Sequence, residues 1–289
     1  SLSAVKQYSE LLYDEGITRI AADIETRGKD LYCPWLGIGF SHKPGQAVYI
    51  PILKKKFFER RIVGKPRTST NVELVPFFGD STLSVLKIIQ DILCSGNFKS
   101  TWCNGGFDLL RLMIQSDVYN IDLDFSEHWA FDVQYAHYFL DENRPKGLRD
   151  LGSFLNQSFP DLANYKDETK EHISDLSKLP IEVVAKRCML DCDGTFRETE
   201  RLAPLIEEGG FEFMLYEYML PVHRLTAEMT YRGIPIDHVY LGKLEKDLKE
   251  EIAGYDSAIY KLAGKRFNID SDQQLGKVLF EEINIGKAT

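Results

Sequence analysis

The sequence predicts an α/β fold, a mixed sheet flanked by helices, with a helical segment after it. Three observations carry this expectation. Apolar segments at 17–24, 35–41 and 46–52 are separated by short polar or Gly/Pro turns, the pattern of an antiparallel meander. After about residue 82, helical periodicity alternates with a short strand-like run at 98–103, which calls for helices covering a sheet. Beyond Gly209-Gly210 the patterns are helical, at 211–231 and 239–262, joined by Arg232-Gly233-Ile234-Pro235-Ile236-Asp237.

The remaining elements follow in order. Residues 4–14 read as a short amphipathic helix, and 82–95, with Leu83, Val85, Leu86, Ile88, Ile89, Ile92 and Leu93, as a second. Residues 54–74 lack clear periodicity and are basic: Lys54, Lys55, Lys56, Arg60, Arg61, Lys65 and Arg67 surround Phe57 and Phe58. That patch reads either as a solvated loop or as a contact for a phosphate backbone. Gly105-Gly106 lets the chain turn into a helix from Phe107, and Asp132 opens another that Pro145-Lys146-Gly147 breaks. Leu148 to Leu155 forms a further helix, 161–179 an acidic loop, and about 181–205 a long helix.

With 289 residues, 44% of them hydrophobic, the chain can bury one large core or a medium and a small one. A net charge of −9 argues against gripping nucleic acid by overall charge, although metal ions and local basic patches serve that purpose in nucleases. No apolar run approaches a membrane span, and no signal-peptide pattern opens the chain. Cys33, Cys94, Cys103, Cys188 and Cys192 are odd in number and form no Cys-x-x-Cys pair, which points to a reduced cytoplasmic compartment. Cys188 and Cys192 read as packing residues.

The chemistry lies in four carboxylates. Asp23 and Glu25 end the first apolar run, and residues two apart on a strand face the same way. Two like charges aimed at one spot push each other toward protonation and call for a cation. Oxygen donors of this kind suit magnesium or manganese. Asp108, in Asn104-Gly105-Gly106-Phe107-Asp108, and Asp191, in Leu190-Asp191-Cys192-Asp193-Gly194-Thr195, are the other two. If all four converge, the site has the donors for two divalent ions. Taken singly, each has an ordinary reading: a solvated strand end, a helix cap, a surface charge.

Together these contexts resemble the ribonuclease-H-like, four-carboxylate 3′–5′ exonucleases, and within them the proofreading domain of family A DNA polymerases. Asp23-Ile24-Glu25-Thr26 matches the first exonuclease motif, Asn104-x-x-Phe107-Asp108 the second and Asp191-x-x-x-Thr195 the third. The stretch from Asp132 to Leu155 is similar to the same family, and Leu220-Pro221-Val222 through Asp237 and Phe267 through Phe280 look like the start of the polymerase thumb. The resemblance implies a mixed five-stranded sheet, an exonuclease domain at 1–208 and a helical thumb segment at 209–289, with the palm and fingers of a longer parent chain ahead. It implies two Mg2+ or Mn2+ ions held by Asp23, Glu25, Asp108 and Asp191, with Asp23 shared between them. It also implies a single-stranded or primer-template DNA 3′ end as partner, contacted by Thr26, Asn104 and Phe107.

One position departs from the pattern. The family has Tyr four residues before the third-motif Asp, or His five before; here Arg187 and Lys186 stand there. Arg187 reads as a contact for the scissile phosphate or as a solvent-facing residue. Two rival readings remain: an exoribonuclease of the ribonuclease D type, which lacks the segment 220–280, and a DNA-binding domain weakened by Arg187.

Overall fold

The computed structural model describes residues 1–61, 68–143, 147–148, 174–283 and 285. They fall into two compact units, Ser1–Arg232 and Gly233–Thr289. In the first, α1 (Leu2–Asp14), capped by the Ser1 side chain, leads into β1 (Arg19–Thr26), β2 (Trp35–Lys43) and β3 (Gln46–Pro51). β1–β2 and β2–β3 pair antiparallel, so the expected meander forms. β4 (Leu53–Arg61) and β5 (Thr68–Pro76) pair with each other in a separate two-stranded ladder. The basic stretch expected as a loop is therefore a hairpin in part. Its run of lysines and arginines showed no apolar alternation from which the strand could be read. Lys65 and Arg67 lie outside the described residues.

α2 (Thr82–Cys94) precedes β6 (Lys99–Trp102), which enters the sheet parallel to β1. α3 (Gly105–Tyr119), β7 (Trp129–Asp132) and α4 (Val133–Leu140) follow. β7 lies parallel to β6 and completes a sheet ordered β3-β2-β1-β6-β7, the ribonuclease-H-like arrangement that the resemblance implied. α4 ends at Leu140, before the expected break, and of the helix expected over 148–155 all but Leu148 lies outside the described residues. The expected acidic loop, 161–179, is described only from residue 174, where Leu176–Lys178 forms a single 3-10 turn. α5 (Ile181–Glu208) is the long helix foreseen at 181–205.

Strand alternation divides β1 between two layers. Ile20, Ala22 and Ile24 enter a core shared with Val85, Leu86, Ile89, Ile92 and Leu93 of α2. The opposite face of β1, carrying Asp23 and Glu25, lies toward α5. Glycines make room there: in the β1–β2 register Asp23 stands opposite Gly39 and Glu25 opposite Gly37. A Cβ on Gly39 would come within 2.6 Å of Cys192 Sγ and 2.7 Å of Cys188 Sγ, so this glycine sets how closely α5 approaches the sheet. Cys188 and Cys192 are fully buried in that contact, the packing role the sequence assigned them. The Gly45 N–H donates to Asp193 Oδ1 at 2.7 Å, which ties α5 to the β2–β3 turn and fixes its rotation.

The first unit runs beyond residue 208. Gly210 adopts φ 69°, a left-handed turn, and a π-helical segment, Phe213–Met219, follows, with Leu215 buried in the core. α6 (Leu220–Arg232) then packs with α3, where the Tyr231 hydroxyl donates to Asp117 at 2.8 Å. The division drawn at 208/209 from the Gly-Gly pair and the division between compact units thus fall at different places. The second unit contains α7 (His238–Ala263), α8 (Asp272–Gly276) and a π-helical turn, Lys277–Glu282. Asp237 caps α7 by accepting from the Val239 and Tyr240 N–H groups.

Gly39→Ala forces a methyl group into the two cysteine sulfurs. The expected loss is about 1–3 kcal/mol of stability, read as a lower urea midpoint with unchanged slope, and the Gly39→Ala/Cys192→Ala double variant should recover part of it.

Candidate active site

Parallel pairing of β1 with β6 brings the carboxyl ends of both strands to one edge, where α/β sheets place their ligand clefts. Asp23 and Glu25 lie near the end of β1, beside a register shift between Glu25 and Thr26. β6 stops at Trp102, two residues before Asn104 turns the chain into α3, whose first turn carries Asp108. Asp191 comes from the middle of α5. A cleft of about 220 Å³ is lined by Asp23, Glu25, Thr26, Asn104, Phe107, Asp108 and Arg187, among others.

The left-handed residue in the turn is Asn104, at φ 63°, and not either glycine, as the sequence suggested. Asparagine tolerates this region better than most residues. Gly105 serves close packing instead: a Cβ there would meet Trp102 Cβ at 2.7 Å and Trp129 Cζ2 at 2.8 Å. The turn is braced by a residue the sequence assigned only to a helix start. Asp132 is fully buried and accepts from the N–H groups of Asn104 (3.1 Å), Gly105 (2.8 Å), Gln134 (2.9 Å) and Tyr135 (3.3 Å). One carboxylate therefore caps α4 and holds the turn that presents Asp108. Burial outweighs those four donors and pushes its carboxyl up to about 6.

The four carboxylates act on one another. Glu25 is 3% exposed and Asp108 4% exposed. Burial raises the Glu25 carboxyl well above its ordinary range; Arg187 opposes the shift, and Asp23, Asp191 and Asp108 add to it. Burial and Asp23 likewise raise Asp108, while the Ile24 N–H, donating to Asp108 Oδ1 at 3.1 Å, pulls the other way. Arg187 points inward rather than to solvent. Its Nε lies 3.4 Å from Glu25 Oε1 and 3.4 Å from Asp191 Oδ2. A unit pair at that distance is worth roughly 5 kcal/mol at an effective dielectric near 20, before desolvation. Arg187 beside Glu25 and Arg111 acting on Asp108 both oppose the upward shifts, and burial still outweighs them at Glu25 and Asp108.

The donors fit hard divalent cations. Glu25 Oε1 is buried and accepts no hydrogen bond, and ligand atoms of Asp23, Glu25 and Cys188 lie within 4.8 Å of one another. Cys188 is a poor ligand here: burial holds its thiol well above the ordinary range, and its Sγ donates to the Asp23 carbonyl at 3.4 Å. The oxygens that remain favour Mg2+ or Mn2+.

Around the acids, the Phe107 ring lines the cleft with the Arg111 guanidinium 3.2 Å from its centroid, and Arg111 also donates to the Lys29 carbonyl at 2.6 Å. Thr26 is engaged locally, its hydroxyl donating to the Gly28 carbonyl at 2.7 Å. The Tyr135 hydroxyl reaches Asn104 Oδ1 at 3.4 Å and His223 Nδ1 at 3.0 Å, with the two rings stacked 4.0 Å apart. Asp132 and Tyr135 lie in the stretch that carried the resemblance, and His223 in the thumb-like segment, but the sequence assigned none of them, nor Arg111, a place at the site. They act from neighbouring elements, and only the fold reveals them.

Known proteins give a consistent picture. No family model matches the chain. DNA polymerase I of Synechocystis sp. is 27% identical over 277 residues, covering 93% of this chain and 25% of that protein. The chain is a homologue of bacterial DNA polymerase I. DNA polymerase I of Chloroflexus aurantiacus is 32% identical over 161 residues, or 54% of this chain and 17% of that protein. The chain thus spans about a quarter or less of the polymerase I relatives it matches. Among solved structures, the POL domain of Pol1 from M. smegmatis, in complex with DNA primer-template and dNTP, aligns with a TM-score of 0.55 at 18% identity, covering 96% of this chain and 39% of that one, a likeness of fold. Among the described residues no helix is long and apolar enough to cross a membrane.

Asp132 carries a test of its bracing role. The folded chain takes up this proton at about pH 6, whereas an unfolded aspartate does so at about 3.9. Lowering the pH from 7 to 5 should therefore stabilise wild type relative to Asp132→Asn, whose side chain does not titrate. The comparison is made by urea denaturation at both pH values, and a gap in stability that stays constant with pH contradicts the assignment.

Proposed function

We propose that this chain is a two-metal-ion 3′–5′ exonuclease that removes nucleoside 5′-monophosphates from DNA 3′ ends, as the proofreading part of a DNA polymerase I-like protein. The observation that carries the reading is the gathering of Asp23, Glu25 and Asp108 in the lining of one cleft with Phe107, with Asp191 acting on Glu25 from α5 across Arg187. On this reading residues 1–208 form the exonuclease and 209–289 begin the polymerase thumb.

The four carboxylates would hold the ions, Mg2+ or Mn2+. When bound, these would acidify an attacking water and stabilise charge developing on the phosphate and the leaving 3′ oxygen. Glu25 Oε1, without a hydrogen bond in its buried position, is available to accept from that water. Phe107, which lines the cleft with the Arg111 guanidinium over its ring, would offer a stacking surface for the terminal base. Asn104, whose backbone the Asp132 brace fixes, would hydrogen-bond the terminal nucleotide, and Thr26, which donates to the Gly28 carbonyl at the cleft's edge, would contact it too. Water oxygen bonds to phosphorus as the bond to the 3′ oxygen breaks, leaving a new 3′ hydroxyl and a 5′-monophosphate. The Synechocystis and Chloroflexus relatives, both DNA polymerases I, favour DNA over RNA as the substrate.

The test is degradation of a 5′-labelled single-stranded DNA and a matching RNA with Mg2+ or Mn2+. DNA should shorten stepwise from its 3′ end, faster than RNA. Asp23→Ala should slow it by about 10³-fold, some 4 kcal/mol of transition-state stabilisation. A variant that keeps the wild-type rate would falsify the reading.

A further inference from the structure

Arg187 occupies the space between two of the acids rather than a place outside them. Its Nε sits 3.4 Å from Glu25 Oε1 and 3.4 Å from Asp191 Oδ2, and the contact to Glu25 has the distance of an ion pair without the alignment of a hydrogen bond. Its side chain is 20% exposed, against 3% for that of Glu25, so the guanidinium has a route outward that the carboxylate lacks. Four residues separate Arg187 from Asp191 on α5, so the helix itself holds cation and anion on one face.

We propose that Arg187 is a built-in counter-ion standing where a second divalent cation would be held by Glu25 and Asp191, and that a phosphodiester entering the cleft draws the guanidinium away and opens that place. This rests on the reading of the four acids as metal ligands. Three features of the residue support it. Arg187 supplies positive charge to Asp191 and to Glu25, on whose carboxyl Asp23, Asp191 and Asp108 all press. A planar guanidinium pairs with phosphate as readily as with carboxylate, so exchange between them keeps its donors engaged. Glu25, too deep to follow, is then left facing the space that Arg187 vacates. The consequence is coupling. Without nucleotide the protein holds one divalent ion well and a second poorly; with a phosphate ligand the second tightens.

The experiment is Mn2+ titration of the whole chain, followed by calorimetry and by the electron paramagnetic resonance of free Mn2+, with and without thymidine 5′-monophosphate. Wild type, Arg187→Gln and Arg187→Lys are compared, with circular dichroism confirming that each is folded. In the absence of nucleotide, Arg187→Gln should bind the second ion about 10–100-fold more tightly than wild type, and thymidine 5′-monophosphate should tighten it in wild type but little in this variant. Arg187→Lys, which keeps the charge, should stay close to wild type. In EDTA, Arg187→Gln should melt at a lower temperature than wild type and gain more from added Mn2+. Equal second-ion affinity in wild type and Arg187→Gln overturns the inference while leaving the metal site intact. Failure of all three proteins to bind Mn2+ overturns the metal reading on which it rests.

Discussion

The constraint on which the rest depends is the repulsion among four acids gathered in a poorly solvated cleft. Asp23 and Glu25 are forced to one face by strand alternation, and Glu25 and Asp108 are almost wholly buried. Each buried acid is driven toward its neutral form by loss of water and by its neighbours. The surrounding groups offset part of this: the Ile24 N–H and the Arg111 charge on Asp108, and Arg187 between Glu25 and Asp191. What they leave uncompensated is the electrostatic demand for cations. Charge concentrated in this way opposes folding and is retained where it serves binding or catalysis.

The scaffold can be read as the means of holding those acids still. Gly39 on β2, opposite Asp23, leaves the gap that admits Cys188 and Cys192, which seat α5, and Gly37, opposite Glu25, leaves the space that the Tyr49 ring fills. Asp193, bonded to the Gly45 N–H, fixes the rotation of α5 and with it the direction of Asp191 and Arg187. On the far side Asp132 braces the left-handed turn at Asn104, from which α3 presents Asp108. Regular elements and buried hydrogen bonds, rather than loops, therefore set the geometry of each acid.

Much of this was legible in the sequence because it rests on local pattern. The meander showed in apolar runs between turns, α5 in its long periodicity, and the paired acids in a period-two spacing at a strand end. Other features rest on tertiary context. β7 has four residues, Trp129 to Asp132, too few for any periodicity. Gly105-Gly106 suggested a glycine turn, yet the left-handed residue is Asn104, because Gly105 is needed where Trp102 and Trp129 press against the chain. Gly209-Gly210 suggested a boundary from the sequence, and the burial of Leu215 and Leu220 beyond it in the core cluster shows only in the fold. Arg187 showed only as a departure from a resemblance; its place between two acids emerges when α5 is laid against β1.

The central claim is that this acidic cluster is a cation site built into the fold. Anomalous diffraction from crystals soaked in Mn2+ and thymidine 5′-monophosphate, recorded near the manganese edge, tests it most directly. The account predicts two peaks bounded by Asp23, Glu25, Asp108 and Asp191, with the Arg187 guanidinium turned toward the phosphate. A cluster without manganese, its acids and Arg187 unmoved, would contradict it.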